Sequence, residues 1–165
     1  MPRGWWAARI RRTVIYLRPI VGPDERAALD GWLTPAEMRL FDAMPAADRR
    51  HGLDVVATLR AAGAGQDREL LVAGLVHDCG KGPRVRLVHR VAWSLGQRYG
   101  AWIWRAAGRL PTFRYGLARL RDHASISADL AANAGCARRV VDLIRNQETP
   151  IDDAGRLLHA ADEDN

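Results

Sequence analysis

A strongly apolar segment, Leu70–Val76, runs directly into the dipeptide His77-Asp78. The spacing of its leucines and valines predicts a helix that begins near Gln66–Asp67 and reaches about Cys79–Gly80. A helix this apolar packs in the interior, so its end carries an imidazole and a carboxylate to a place where unpaired polar groups cost several kcal/mol. Any fold that buries this segment must therefore supply partners for both side chains.

The rest of the chain is predicted to be a series of helices separated by proline and glycine, without a convincing alternating strand. Thr34-Pro35-Ala36-Glu37 is a capping box that begins a helix ending at Pro45. We expect two or three helices over 85–121, with breaks at Gly96, Gly100 and Leu110-Pro111. Further helices are expected over 47–62, 125–134 and 137–146, and from an N-cap at Asp152 or Asp153 onward.

The size and composition of the chain fit one globular domain. Its 165 residues are 48% hydrophobic and 27% charged, which allows an ordinary core and excludes a disordered tail. No run of 18 apolar residues predicts a transmembrane helix, and Val14–Leu17 is too short for a secretory signal. Cys79 and Cys136 are too few for a disulfide framework. We expect a cytoplasmic protein, with peripheral contact at the inner face of the membrane as a further location.

We therefore predict an all-α fold, a single compact helical domain of about seven to nine helices. A basic N-terminal segment over 1–33 packs on or flanks a helical domain over 34–165. The helical domain includes an Arg/Trp-rich helical section at 82–121.

Positive charge is concentrated in two segments. Of the 25 cationic side chains, 24 are arginine and one is lysine, Lys81. Residues 1–22 contain five arginines and no acid, and residues 79–121 contain Lys81, nine arginines and no acid. The net charge of +6 therefore describes two basic segments on an otherwise acidic chain, which bears on binding partners more than on fold.

Three interpretations of the basic section at 82–121 stay open. Its helices could cover the mouth of a site, with arginines solvated or holding a phosphorylated substrate. Basic amphipathic helices with tryptophan also suit an anionic membrane surface, and arginine among aromatic rings suits single-stranded nucleic acid. The relevant tryptophans are Trp93, Trp102 and Trp104, and Trp5 and Trp6 beside Arg9, Arg11 and Arg12 form a second candidate contact of the same kind.

A bound divalent cation would satisfy both His77 and Asp78, because imidazole nitrogen and carboxylate oxygen are ordinary ligands for Mn, Fe, Zn or Mg. Two side chains do not make a site, so further ligands must come from elsewhere in the chain. Candidates at predicted helix ends are His51, His123 and Asp162.

The order of these residues resembles the HD-domain superfamily of metal-dependent phosphohydrolases, in which a histidine, a His-Asp pair and a later aspartate on a final helix follow one another. His77-Asp78-Cys79-Gly80-Lys81 is similar to the HD-x-G-K form of many bacterial members, and 123–130 looks like the region of a further histidine. The resemblance covers roughly residues 45–165. It implies an all-helical HD-type domain and one divalent metal ion (Mn, Fe, Co, Ni, Zn or Mg) held by His51, His77, Asp78 and Asp162.

The resemblance also implies a hydrolase that acts on a nucleotide or similar small phosphate ester through a metal-activated water. Asp78, Lys81 and His123 are the expected catalytic residues: Asp78 would orient or deprotonate the water, and Lys81 would place an ammonium near the phosphate. Further candidates for binding the substrate phosphate are Arg84, Arg121 and Asn146.

One departure from the family pattern limits this expectation. Members with two metals carry a histidine pair where this chain has Asn146-Gln147-Glu148, and amides are poor transition-metal ligands. One metal, or a weak second site, is therefore expected, which argues against a cyclic-dinucleotide phosphodiesterase. The alternative function is a non-catalytic sensor or adaptor on the same fold that docks on anionic membrane or RNA. We expect structural roles for His89, His159 and Cys79.

Overall fold

The computed structural model describes residues 21–165, so the expected contact through Trp5 and Trp6 lies outside the described residues. The regular elements of this part of the chain are helical, which confirms the prediction of an all-α domain. They are ten α-helices, one more than the upper end of the expected range: α1 Pro23–Asp30, α2 Pro35–Ala43, α3 Ala46–Leu59, α4 Arg68–Val76, α5 Leu87–Tyr99, α6 Trp102–Ala107, α7 Pro111–Arg121, α8 His123–Asn133, α9 Arg138–Arg145 and α10 Asp153–Asp164.

Local capping signals begin the helices where the sequence predicts them. The Thr34 hydroxyl accepts a hydrogen bond from the Glu37 backbone N–H at 3.2 Å, and the Glu37 carboxylate accepts one from Thr34 N at 2.7 Å. Asp152 caps α10 by accepting from Gly155 N at 2.6 Å. The helix α3 continues into a π-helical turn over Arg60–Ala64 that contains Gly63 at φ 91°.

Three boundaries differ from the prediction. The helix α5 runs through Gly96 without a break, because this glycine makes room for an indole: a Cβ there would lie 1.8 Å from Trp104 Nε1. The helix α8 begins at His123 rather than Ser125, and α4 ends at Val76. His77-Asp78 therefore starts the turn that follows α4 instead of ending the helix.

The apolar helix α4 is the centre of the molecule. Every residue from Leu70 to Val76 is buried, and α4 contacts α2, α3, α9 and α10. The core around it includes Phe41, Leu59, Ile144 and Leu158. Because α4 is surrounded on these sides, the turn that follows it opens among helices from distant parts of the chain.

The basic helices α5, α6 and α7 pack on one another. Trp93 and Trp104 stack with ring centroids 4.7 Å apart, and Trp104 Nε1 donates to Trp93 O at 3.1 Å. A buried ion pair joins α5 to α3, with Arg90 Nη2 2.6 Å from Asp48 Oδ1. None of the helices described is long and apolar enough to span a bilayer.

Candidate metal centre

A close approach of two helices brings His51 to the end of α4. At Gly52 the backbones of α3 and α4 are so near that a Cβ would lie 2.3 Å from Leu75 O. His51 precedes this contact on α3, and its ring centroid lies 5.2 Å from that of His77. The glycine after His51 therefore has a structural reason, because a side chain there would push the two imidazoles apart.

The last described helix completes the group. Leu158 of α10 packs in the core, and one turn later Asp162 Oδ1 lies 2.8 Å from His51 Nε2 and 3.5 Å from His77 Nε2. One candidate ligand atom from each of His51, His77 and Asp78 lies within 4.8 Å of the others. The structure thus brings together the four residues that the resemblance implies as metal ligands. We call His51, His77, Asp78 and Asp162 the His/Asp cluster.

Backbone carbonyls fix the tautomer of two histidines. His77 Nδ1 lies 2.9 Å from Gly74 O, and His123 Nδ1 lies 2.7 Å from Leu120 O. Because a carbonyl only accepts, each Nδ1 carries the hydrogen, and in a neutral ring the lone pair is on Nε2. Both Nε2 atoms lie 3.5 Å from Asp78 Oδ1. Such carbonyl contacts are the usual way in which a metal-binding histidine is oriented.

Two atoms of the cluster are buried and have no hydrogen-bond partner, namely His77 Nε2 and Asp78 Oδ1. Both residues are about 1% exposed, so bulk solvent does not reach these atoms. Buried polar atoms without partners are rare in folded proteins and point to an absent ion or water. Two imidazoles and two carboxylates match the ligand preferences of divalent transition metals, so the residues present fit such an ion.

The charges in the cluster shift its protonation equilibria. Burial opposes protonation of His77, but the carboxylates of Asp78 and Asp162 outweigh it and raise the pKa of His77 to about 9. Burial disfavours ionised Asp78, yet Lys81 and the surrounding imidazoles hold its pKa far below the usual range. The pKa of Asp162 is lowered by His51 and His77, again against the effect of burial.

Lys81 and His123 also reach this group. The Lys81 ammonium pairs with Asp78 Oδ2. Gly80 packs directly on α8, where a Cβ would lie 2.5 Å from His123 O, and Gly80 N donates to the Ser127 hydroxyl at 2.8 Å. Two of the three residues between Asp78 and Gly82 thus have local roles. Lys81 pairs with Asp78, and Gly80 lets the loop pack against α8 because it has no side chain.

The three further phosphate-binding candidates make their contacts elsewhere. The Arg84 guanidinium lies 5.9 Å from the ring centroid of Tyr115, and Arg121 pairs with Asp122 at 2.8 Å on the surface. Asn146 Nδ2 donates to Asp142 O at 2.8 Å and lines a cavity of about 360 Å³ beside α9 and α10. None of these contacts involves the His/Asp cluster.

The sequence does not predict a role for Gln147, Glu148 or Arg119; Glu148 approaches His123, and Arg119 approaches the loop after Lys81. Gln147 is buried with neither amide atom hydrogen-bonded, and Glu148 Oε1 lies 3.8 Å from His123 Nε2. Arg119 lies against Gly82, the residue after Lys81. The Asn146-Gln147-Glu148 segment was a usable signal for the first two, whereas nothing in the sequence distinguishes Arg119 from the other arginines.

The residues expected to be structural are packed by ordinary contacts. His89 is buried against Phe113, with ring centroids 5.0 Å apart, and His159 Nδ1 donates to Gln147 O at 2.9 Å. Burial raises the pKa of the Cys79 thiol to about 12. A thiol with so little thiolate at neutral pH is not an activated nucleophile.

Comparison with known proteins identifies no relative: no family model, no curated protein and no solved structure matches this chain.

Proposed function

We propose that this protein is a metal-dependent phosphohydrolase that acts on a nucleotide or a similar small phosphate ester. The observation that carries this proposal is the convergence of His51, His77, Asp78 and Asp162 from α3, the turn after α4, and α10. The unpartnered Nε2 of His77 and Oδ1 of Asp78 support it, because both atoms need a cation or proton donor between them.

The cluster would hold one divalent ion through the Nε2 atoms of its two histidines and the carboxylates of Asp78 and Asp162. When bound, such an ion lowers the pKa of water and polarises a phosphoryl oxygen. Gly74 O keeps His77 in the tautomer whose Nε2 can act as a ligand. The carboxylate of Asp78 lies beside both His77 and His123 and would orient an attacking water by accepting a hydrogen bond from it.

Lys81 and His123 would act on the substrate side of the centre. The ammonium of Lys81 at Asp78 is a compact positive charge where negative charge builds on the phosphate. Burial and the nearby Lys81 charge lower the pKa of His123. His123 is therefore neutral near pH 7, and its Nε2 can accept a hydrogen bond from water or substrate. With amides at Asn146 and Gln147, we propose a single strong metal site.

The test is metal analysis of protein purified without chelator, together with turnover of nucleotides and phosphorylated metabolites in the presence of Mn, Co, Mg or Ni. We expect about one bound metal per chain, and loss of both metal and turnover in His77→Ala. His159→Ala is the matched control, since this histidine contacts Gln147 O rather than the cluster. Protein that binds no divalent metal would refute the proposal.

A second candidate function, a non-catalytic adaptor that docks on anionic membrane, is favoured by an exposed apolar stripe. Val88, Val91 and Tyr99 lie on one face of α5 and are 53%, 44% and 53% exposed. Trp102 on α6 is 61% exposed. This surface belongs to the acid-free segment 79–121, and cations around exposed apolar side chains complement anionic lipid.

Binding to vesicles of phosphatidylglycerol and of phosphatidylcholine tests this candidate. We expect salt-sensitive binding to the anionic vesicles that falls at least fivefold in Val88→Ser/Val91→Ser. Ile151→Ser is the control, because Ile151 is 74% exposed outside the basic helices. Equal binding by the double variant would refute a lipid-docking stripe, and binding to single-stranded RNA alone would assign the surface to nucleic acid.

A further inference from the structure

One arginine of the basic helices is placed beside the loop that carries Lys81. Arg119 lies in the last turn of α7. Its Nη2 and Nε atoms are 3.7 and 3.8 Å from the position that a Cβ of Gly82 would occupy. Gly82 has φ 73°, a left-handed conformation that favours glycine. The turn it makes therefore presents only backbone to the guanidinium.

Arg119 differs from the paired arginines of the fold. Its Nε is buried without a hydrogen-bond partner, as are those of Arg49 and Arg90. Unlike Arg90, however, Arg119 takes part in no ion pair within residues 21–165. By contrast, Arg90 holds Asp48, and Arg139 holds Asp67 at 2.7 Å. A partly buried guanidinium without a carboxylate is an uncompensated charge, which a protein retains at a cost in stability.

The loop that Arg119 approaches carries no acidic residue after Asp78. Lys81 is adjacent to Gly82, and the segment 79–121 contains no acid. The chain from Arg119 leads within four residues to His123, whose Nε2 faces Asp78. Arg119 thus lies close to the substrate side of the proposed centre, with hydrogen-bond donors that no described residue uses.

We propose that Arg119 and Lys81 form a binding site for a dianionic phosphate group next to the metal centre. This inference rests on the proposed function and narrows its substrate to a phosphomonoester or a terminal phosphate. A phosphomonoester carries a charge of about −1.5 to −2 at pH 7, so it is attracted to two neighbouring cations more strongly than a diester, which carries one charge. The planar fork of Arg119 can bind two phosphate oxygens, while Lys81 supplies a point charge.

The experiment is calorimetric titration of the protein, as purified, with inorganic phosphate and with dimethyl phosphate. We expect inorganic phosphate to bind at least tenfold more tightly than dimethyl phosphate. Arg119→Met should lose at least tenfold in phosphate affinity, and Arg119→Lys should retain part of it, because one charge-assisted hydrogen bond is worth roughly tenfold or more. Arg114→Met is the matched control, an exposed arginine on the same helix.

The circular dichroism spectrum and the metal content of Arg119→Met should equal those of the wild type, which would show that the fold and the metal centre are intact. Equal phosphate affinity of wild type and Arg119→Met would overturn the proposal, as would the absence of saturable phosphate binding in the wild type. The readout does not need turnover. If the protein hydrolyses no phosphate ester but binds phosphate through Arg119, the proposed phosphohydrolase activity is refuted and the phosphate site stands. If the protein is active and its KM is unaffected by Arg119→Met, the activity stands and the phosphate site is refuted.

Discussion

The two nitrogens of His77 have different surroundings. Nδ1 is tied to Gly74 O of the preceding helical turn, while Nε2 faces the carboxylates of Asp78 and Asp162 without a hydrogen bond of its own. A proton on Nε2 or a metal ion in the cluster would each satisfy this arrangement. The proton and the metal ion therefore compete for Nε2. In the metal-free protein Nε2 is protonated at neutral pH, because the pKa of His77 is raised to about 9.

This competition predicts a pH-dependent stability of the metal-free protein. Because the folded-state pKa of His77, about 9, exceeds the ordinary histidine pKa of 6.5, the stabilisation is fully present below pH 6.5. It is lost as pH rises through 9. We expect the free energy of unfolding, measured by urea titration with chelator present, to fall by a few kcal/mol over that range.

The variant His77→Gln should remove most of this pH dependence, and His159→Gln should leave it intact. An unfolding free energy that rises between pH 6.5 and pH 9 would contradict the assigned ion pairs. Excess metal should oppose the loss, because the ion replaces the proton and binds more tightly as pH rises.

Packing between helices depends here on glycines that the sequence alone does not explain. The capping box at Thr34 and the N-cap at Asp152 were predictable because both signals lie within four residues. The predicted break at Gly96 is wrong, because the reason for this glycine is the indole of Trp104, which lies in another helix. Gly52 likewise depends on Leu75 O in α4.

Gly52→Ala should therefore separate α3 from α4. A Cβ 2.3 Å from a backbone oxygen cannot be accommodated by side-chain movement, so we expect a destabilisation of about 3 kcal/mol and at least tenfold weaker metal binding. Thermal unfolding and metal titration measure the two effects. Gly65→Ala is the control, because the nearest atom there belongs to the flexible side chain of Arg60, 3.9 Å away. Equal losses of stability and metal affinity in the two variants would contradict the close approach of α3 and α4 at Gly52.

The buried pair of Asp48 and Arg90 makes a second prediction about helix packing. Asp48 is 1% exposed and receives both of its hydrogen bonds from Arg90 Nη2. Arg90→Met leaves a buried carboxylate without its partner and should cost about 3 kcal/mol of unfolding free energy. Arg98→Met, at an exposed position of the same helix, should change the unfolding free energy by less than about 0.5 kcal/mol. Urea unfolding measures both variants, and equal losses would refute a special role for Arg90.

The candidate centre joins parts of the chain that are far apart in sequence, since 111 residues separate His51 from Asp162. The apolar pattern of α4 predicted that His77-Asp78 would need partners, but it did not identify them. The four-residue set followed from the resemblance to a family, and the fold brings the set together. Arg119 could not be predicted, because its position depends on how α7 packs against the loop after Lys81.

Metal binding should accordingly stabilise the whole protein. At a free metal concentration of about 100 times Kd, the gain in unfolding free energy is about 2.7 kcal/mol. For a chain of this length this corresponds to a rise in thermal midpoint of roughly 5–10 °C. We expect scanning calorimetry to show this rise in the wild type and only a small rise in Asp162→Asn. A rise of equal size in the variant would exclude Asp162 as a ligand.

The uneven distribution of charge, with ten cations and no acid between residues 79 and 121, also has a kinetic consequence. Such a surface attracts anions from several ångströms beyond contact, over about a Debye length of 8–10 Å at physiological salt. Added salt should therefore slow the association of the proposed phosphate ligand while its dissociation stays nearly constant. The same arginines would serve capture before any of them contacts the ligand.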